Sequence, residues 1–167
     1  MSRLAVAFSR TYFLGIMLTL ACSLGTASQA HAGDTKFIKM QATGQLVYQA
    51  PCPDSTPENP ILCQTATVTG QVTHIGRVSG LFSERVAATG SYTGTGLITA
   101  PNGDTFTTAF RGQVLGADAN GNVTFVEWHQ IVSGTGRFAD ATGNISVMGT
   151  AAATGQIAIE GTGALTR

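Results

Sequence analysis

Nine Thr-Gly dipeptides, beginning at positions 43, 69, 89, 93, 95, 135, 142, 154 and 162, constrain the chain from residue 36 onward. Threonine favours the pleated surface of a sheet. Glycine inside a strand weakens it and marks a bulge or a tight bend, points that a strongly coiled or closed sheet needs. No stretch keeps a helical period. Short runs of β-branched and aromatic residues instead predict strands at 37–49, 66–81, 86–99, 105–115, 123–132, 144–152 and 156–165, several long enough to bend or to be two strands. Turn signals stand at Pro101-Asn102-Gly103-Asp104 and at Asp118-Ala119-Asn120-Gly121-Asn122. Closure into a barrel removes the exposed edges that a chain with few charges guards poorly. Irregular glycine intervals argue against a solenoid, and the lack of aromatic girdles argues against an outer-membrane barrel. The expected fold is all-β, a single antiparallel barrel, with a β-sandwich as the alternative.

The first 32 residues have a different character. Arg3 and Arg10 precede an apolar run over 11–21, and small and polar residues lead to Ala30-His31-Ala32. This is the order of a secretory signal peptide, and the apolar run is roughly half of the about 20 residues that a transmembrane helix needs. A lipoprotein signal ending at Cys22 would place Leu three residues before it and a small residue two before, where Thr19 and Leu20 stand. Cleavage after Ala32, or after Ala30, is expected to release one domain, residues 33–167, exported to the periplasm or the extracellular space and without a transmembrane segment. In that domain seven basic residues face nine acidic ones. Such a balance lacks the clustered basic surplus of a nucleic-acid binder.

Two cysteines remain after cleavage, Cys52 and Cys63, flanking a segment with three prolines. An even pair in an exported chain reads as one disulfide, with a stabilisation on the order of 2–3 kcal/mol by the chain-entropy relation. No cofactor motif or metal-ligand spacing stands out. His74, Glu127 and His129 supply ligand types without a diagnostic pattern.

The segment richest in chemistry is Val123-Thr124-Phe125-Val126-Glu127-Trp128-His129-Gln130-Ile131. Strand alternation puts Phe125, Glu127, His129 and Ile131 on one face and Val126, Trp128, Gln130 and Val132 on the other. If the first face is lumenal, Glu127 and His129 form a candidate acid–base pair inside an apolar barrel. If the second is, Trp128 belongs to the core and the pair is solvated. His74, Arg77 and Tyr92, on neighbouring candidate strands, are the residues expected to line a ligand site beside it, together with Trp128.

The stretch Ser133-Gly134-Thr135-Gly136-Arg137-Phe138-Ala139-Asp140-Ala141-Thr142-Gly143 resembles the Gly-Gly-Thr-Gly-x-Phe-x-x-Ala-x-Gly signature of dirigent proteins. With Asn102-Gly103-Asp104 and Thr73-His74-Ile75-Gly76-Arg77, it is similar to bacterial exported proteins grouped with the allene oxide cyclase barrel-like domain, over about residues 66–167. The resemblance implies an eight-stranded antiparallel barrel. Ser133 departs from the first glycine of the pattern, and Asp140-Ala141-Thr142 departs from the residues usual there, which touches activity more than fold. Physically, Gly134 to Phe138 read as a barrel corner with Phe138 plugging one end of the core, and Asp104 and Arg137 as an ion pair joining two turns. A phosphate-cradling role would need a helix to follow, whereas Asn144-Ile145-Ser146-Val147 is a strand pattern.

Two functions follow. The first is non-catalytic binding of a small apolar molecule, or a surface interaction. The alternative, implied by the resemblance, is a cofactor-free cyclase or isomerase acting on a hydrophobic substrate in the lumen, with Glu127 and His129 as acid and base and His74 or Tyr92 orienting. A lumen filled by Phe and Ile excludes catalysis there.

Overall fold

The computed structural model describes residues 33–167, and the expected signal peptide, 1–32, lies outside the described residues. The chain runs β1 (Thr35–Pro51), β2 (Ile61–Val72), β3 (Gly76–Ala87), β4 (Ser91–Thr99), β5 (Thr105–Ala117), β6 (Val123–Gly134), a 3-10 turn (Gly136–Phe138), β7 (Thr142–Ala151) and β8 (Gln156–Thr166). Every strand pairs antiparallel with its neighbours in the chain, and β1 pairs with β8 to close an eight-stranded barrel, the architecture expected above. Full closure leaves no strand edge to aggregate. Among the described residues no helix is long and apolar enough to cross a membrane.

Two predicted strands are each divided. The stretch 66–81 reverses at 73–75, where Ile75 N–H donates to the Val72 carbonyl (3.2 Å) and His74 adopts φ +64°. The stretch 86–99 breaks at 88–90, where Gly90 adopts φ +77°. Neither reversal carries a Pro or an Asn-Gly signal, so alternation continues through them unbroken in sequence. The turns at 101–104 and 118–122 stand where the sequence placed them: Gly103 N–H reaches the Ala100 carbonyl and Gly121 N–H the Asp118 carbonyl, each at 3.0 Å.

Of the bulge or tight bend expected at the Thr-Gly pairs, the tight bend holds at Gly90, Gly136 and Gly155, which take positive φ in turns, whereas no pair stands at a bulge. The ladder irregularities fall at Leu46/Tyr48, Thr107/Thr108 and Val114/Gly116. In β4, Thr93 and Thr95 face outward and exposed, while Gly94 and Gly96 face the lumen under the rings of Phe110 and Phe82. Removing the Cβ from a lumenal position gives an aromatic ring room to lie across the neighbouring strand. In a narrow barrel this allows bulky rings in the interior.

The lumen has two halves. At one end the 3-10 turn carries Phe138 inward to complete burial, with Phe106 at 5.2 Å between ring centroids and Ile38 and Leu165 also sealed from solvent. Phe138 therefore plugs this end. Arg137 covers the outside of its ring at 4.9 Å and donates from Nη2 to the Ile75 carbonyl (3.3 Å). Asp104 anchors the corner, accepting from Arg137 N–H (3.1 Å) with the Arg137 Nε at 3.9 Å. The Arg137 N–H first, and the Asn102 amide second, hold its carboxyl below the usual range. Gly134 and Gly136 permit the corner: a Cβ on Gly134 would meet the Phe138 carbonyl, and one on Gly136 the Asp104 carboxylate.

The opposite end is hollow. There the loop between β1 and β2 is tied by a Cys52–Cys63 disulfide, Cα atoms 5.0 Å apart, and by Arg85, which donates to both Asp54 oxygens at 2.8 and 2.7 Å.

Candidate functional site

Alternation on β6 places Phe125 (8 % exposed), His129 (6 %) and Ile131 (4 %) inside, with Glu127 between them, and leaves Trp128 outside at 48 %. The lumenal reading of Glu127 and His129 is therefore the correct phase. His129 Nε2 lies 2.8 Å from Glu127 Oε2, and its Nδ1 lies 3.1 Å from Thr108 Oγ1. Tyr92 donates its hydroxyl to the other Glu127 oxygen, Oε1, at 3.1 Å. Tyr92, Gly112 and Glu127 occupy one transverse row of the wall, β4 to β5 to β6. Glycine in the middle lets the phenol cross to the carboxylate. The result is a continuous chain Thr108–His129–Glu127–Tyr92 within the barrel, with no sealed side-chain nitrogen or oxygen left without a partner among the described residues.

Aromatic rings hold that chain in place. Phe110 stacks on the His129 imidazole with centroids 4.7 Å apart and planes at 24°, and Phe82 meets it edge-on at 6.1 Å. Above the network a cavity of about 340 Å³ opens towards the unplugged end, with Phe82, Glu84, Tyr92, Phe110, Phe125 and Glu127 among its lining. Its size and its mainly apolar wall with a few convergent polar groups suit a small-molecule site.

Glu84 is the second carboxylate of this cavity. Burial first, and the Glu127 charge second, push its carboxyl up to about 7. Burial is also the largest cause raising the Tyr92 phenol, followed by the charges of Glu127 and Glu84 and by its hydrogen bond to Glu127. Tyr92 is thereby fixed as a proton donor. Clustered perturbed groups in a cleft mark a candidate functional site.

The structure does not bring His74, Arg77 or Trp128 to the cavity. His74 sits exposed in the turn at 73–75 near the plugged end; Arg77 alternates with buried Val78 and faces outward; Trp128 lies on the outer wall beneath Arg111, 6.0 Å from ring to guanidinium. His74, Glu127 and His129 thus do not converge, and among the described residues no group of three His, Cys, Asp or Glu is arranged to hold a metal. Glu84 and Thr108 are the residues of this candidate site that the sequence reading missed. The alternations Phe82-Ser83-Glu84-Arg85-Val86 and Phe106-Thr107-Thr108-Ala109-Phe110 carry the signal for both.

Searches against protein-family models, curated proteins and solved structures find no match to this chain.

Proposed function

We propose that this barrel binds a small, mainly apolar molecule, taken into its hollow half through the unplugged end. The observation that carries the reading is the cavity of about 340 Å³ with aromatic walls and an oriented Tyr92–Glu127–His129 network at its base. An interior needed only for stability would be filled, because protein cores pack to crystal-like density with few voids. The polar chain is costly to bury, and its placement at the floor of the cavity gives it a ligand to orient. Export of the mature chain accords with the Cys52–Cys63 disulfide, and the resemblance to the allene oxide cyclase barrel-like and dirigent proteins accords with a lumenal ligand.

The test uses the purified chain. Native mass spectrometry is expected to find a retained small molecule, or a lipid and terpenoid panel to raise the melting temperature. Ala151→Phe, which fills the cavity from β7, is expected to abolish either signal. No retained mass and no shift across the panel would remove the reading.

A second reading, a cofactor-free isomerase or cyclase, is favoured by the Glu127–His129 contact at 2.8 Å inside the lumen. Positioned acid–base groups at that spacing can move a proton on a bound ligand. Glu127→Gln is then expected to lower turnover while leaving affinity largely intact, and equal turnover in the variant would exclude it.

A further inference from the structure

The two carboxylates of the cavity are not equivalent. Glu127 has each oxygen occupied, Oε1 by the Tyr92 hydroxyl and Oε2 by His129 Nε2. Glu84 has neither: burial and the Glu127 charge act on it, and no hydrogen bond offsets them. Since no sealed side-chain oxygen among the described residues lacks a partner, the Glu84 oxygens open onto the cavity. Among the described residues nothing basic lines that space. Its neighbour Arg85 points to the outside, where Asp54 engages it. The elements around Glu84 present Gln64 from β2, Gly94 and Tyr92 from β4, and Glu127 with His129 behind it from β6. Gln49 stands in the lining near the mouth, and the rest of the wall is mainly aliphatic and phenyl, including Phe82, Phe110 and Phe125.

We propose that the lumenal ligand is an organic cation, a small apolar molecule with one ammonium group whose N–H donors engage Glu84 while the aromatic wall surrounds the rest. The inference rests on the lumen-binding reading and names the ligand class for the same cavity. An ammonium supplies what Glu84 lacks, a charged donor, and hydrogen bonds of that kind are the strong ones. The faces of Phe and Tyr rings attract the same charge through their quadrupole. A carboxylate ligand, as a fatty acid would bring, meets two acidic groups and no counter-ion. Binding a cation also stabilises ionised Glu84, so uptake near neutral pH releases a proton and affinity rises with pH. A neutral ligand accepting a hydrogen bond from protonated Glu84 gives the opposite slope.

Calorimetric titration of the purified chain with phenylbutylamine, phenylbutanol and phenylbutyrate, which share one apolar body, tests this directly. The amine is expected to bind on the order of tenfold more tightly than the alcohol, with the carboxylate weakest. Amine affinity is expected to rise from about pH 6 to about pH 8, with proton release revealed by buffers of different ionisation heat. Glu84→Gln is expected to reduce the amine to the level of the alcohol. The pH profile of the unaltered chain carries the same test without a substitution. If the alcohol binds as tightly as the amine, or the amine weakens as pH rises, the cation is excluded and lumen binding stands. If none of the three binds, the cation proposal falls, and lumen binding stands or falls with the native mass spectrometry and ligand panel above.

Discussion

Gly112 of β5 lies beneath the phenol of Tyr92 from β4, and over that glycine the ring reaches Glu127 on β6, its hydroxyl 3.1 Å from the carboxylate. A methyl group at 112 would stand where the ring is. Gly112→Ala is therefore expected to cost about 1–3 kcal/mol by overpacking. Tyr92→Phe alone should cost about 1.5–3 kcal/mol, the range for a hydrogen bond to a charged group. With the ring already displaced, the second change should add little. Urea denaturation of the four proteins of this cycle measures the coupling, and simple additivity would show that Gly112 does not position the ring.

Glu84 gives the barrel a pH dependence of unusual sign for a carboxylate. Its folded value of about 7 stands above the ordinary 4.5, so the folded state holds the proton more tightly than the unfolded one. Stability from this group is complete below about pH 4.5 and is lost as pH rises through 7, by up to about 3 kcal/mol before solvent screening reduces it. Asp54, Asp104 and Asp118 are shifted downward, so their contributions fade only at lower pH, as acid protonates them. The difference between urea midpoints of the unaltered chain and Glu84→Gln should fall within this window, and a flat difference would contradict the burial of the charge.

The corner at the plugged end combines backbone and charge in one residue. Gly136 adopts φ +53°, in the left-handed region, and faces the Asp104 carboxylate. Gly136→Ala adds about 1–2 kcal/mol of backbone strain and must also push Asp104 off the Arg137 N–H. Its loss in thermal denaturation is expected to exceed that of Asp104→Ala, about 1–3 kcal/mol for the donor left unpaired.

The disulfide should act at the mouth alone. Cys52 and Cys63 are 11 residues apart in sequence, so replacing both with Ser is expected to cost about 2–3 kcal/mol by the chain-entropy relation. The plugged end holds its core without them, and the variant should still fold. Urea midpoints with and without reductant check this: reductant should shift the unaltered chain to the variant's midpoint and leave the variant where it is.

Alternation made the barrel legible, but only up to phase and boundary. On β6, bulky apolar residues occupy both faces, Phe125 and Ile131 inside, Trp128 and Val132 outside. Local sequence therefore fixes which residues travel with Glu127 and not the side they take. That choice is made by the neighbours, where Gly112 on β5 and Gly149 on β7 leave room for Tyr92 and Phe125. Glu84 is hidden by a boundary: the pattern ends one strand at 81 and starts the next at 86, which puts it in a connection, whereas the reversal comes at 88–90, after it. The reversal at 73–75 is hidden because its central positive-φ residue is His74, and the glycine that follows, Gly76 at φ +101°, reads as part of a strand.

The seam of the barrel has a further use. Asp34 N–H donates to the Arg167 carbonyl at 2.9 Å, and the Thr35 and Thr166 hydroxyls meet at 2.8 Å, so both tips of the described chain lie together at the plugged pole. A ring of strands, each bonded to its chain neighbours, has no privileged point of entry. A short glycine bridge across this seam, with new ends cut in the 118–122 turn, yields a circular permutant with every pairing retained. A tether fixed at the original seam would instead hold the barrel by its plug and present its mouth outward.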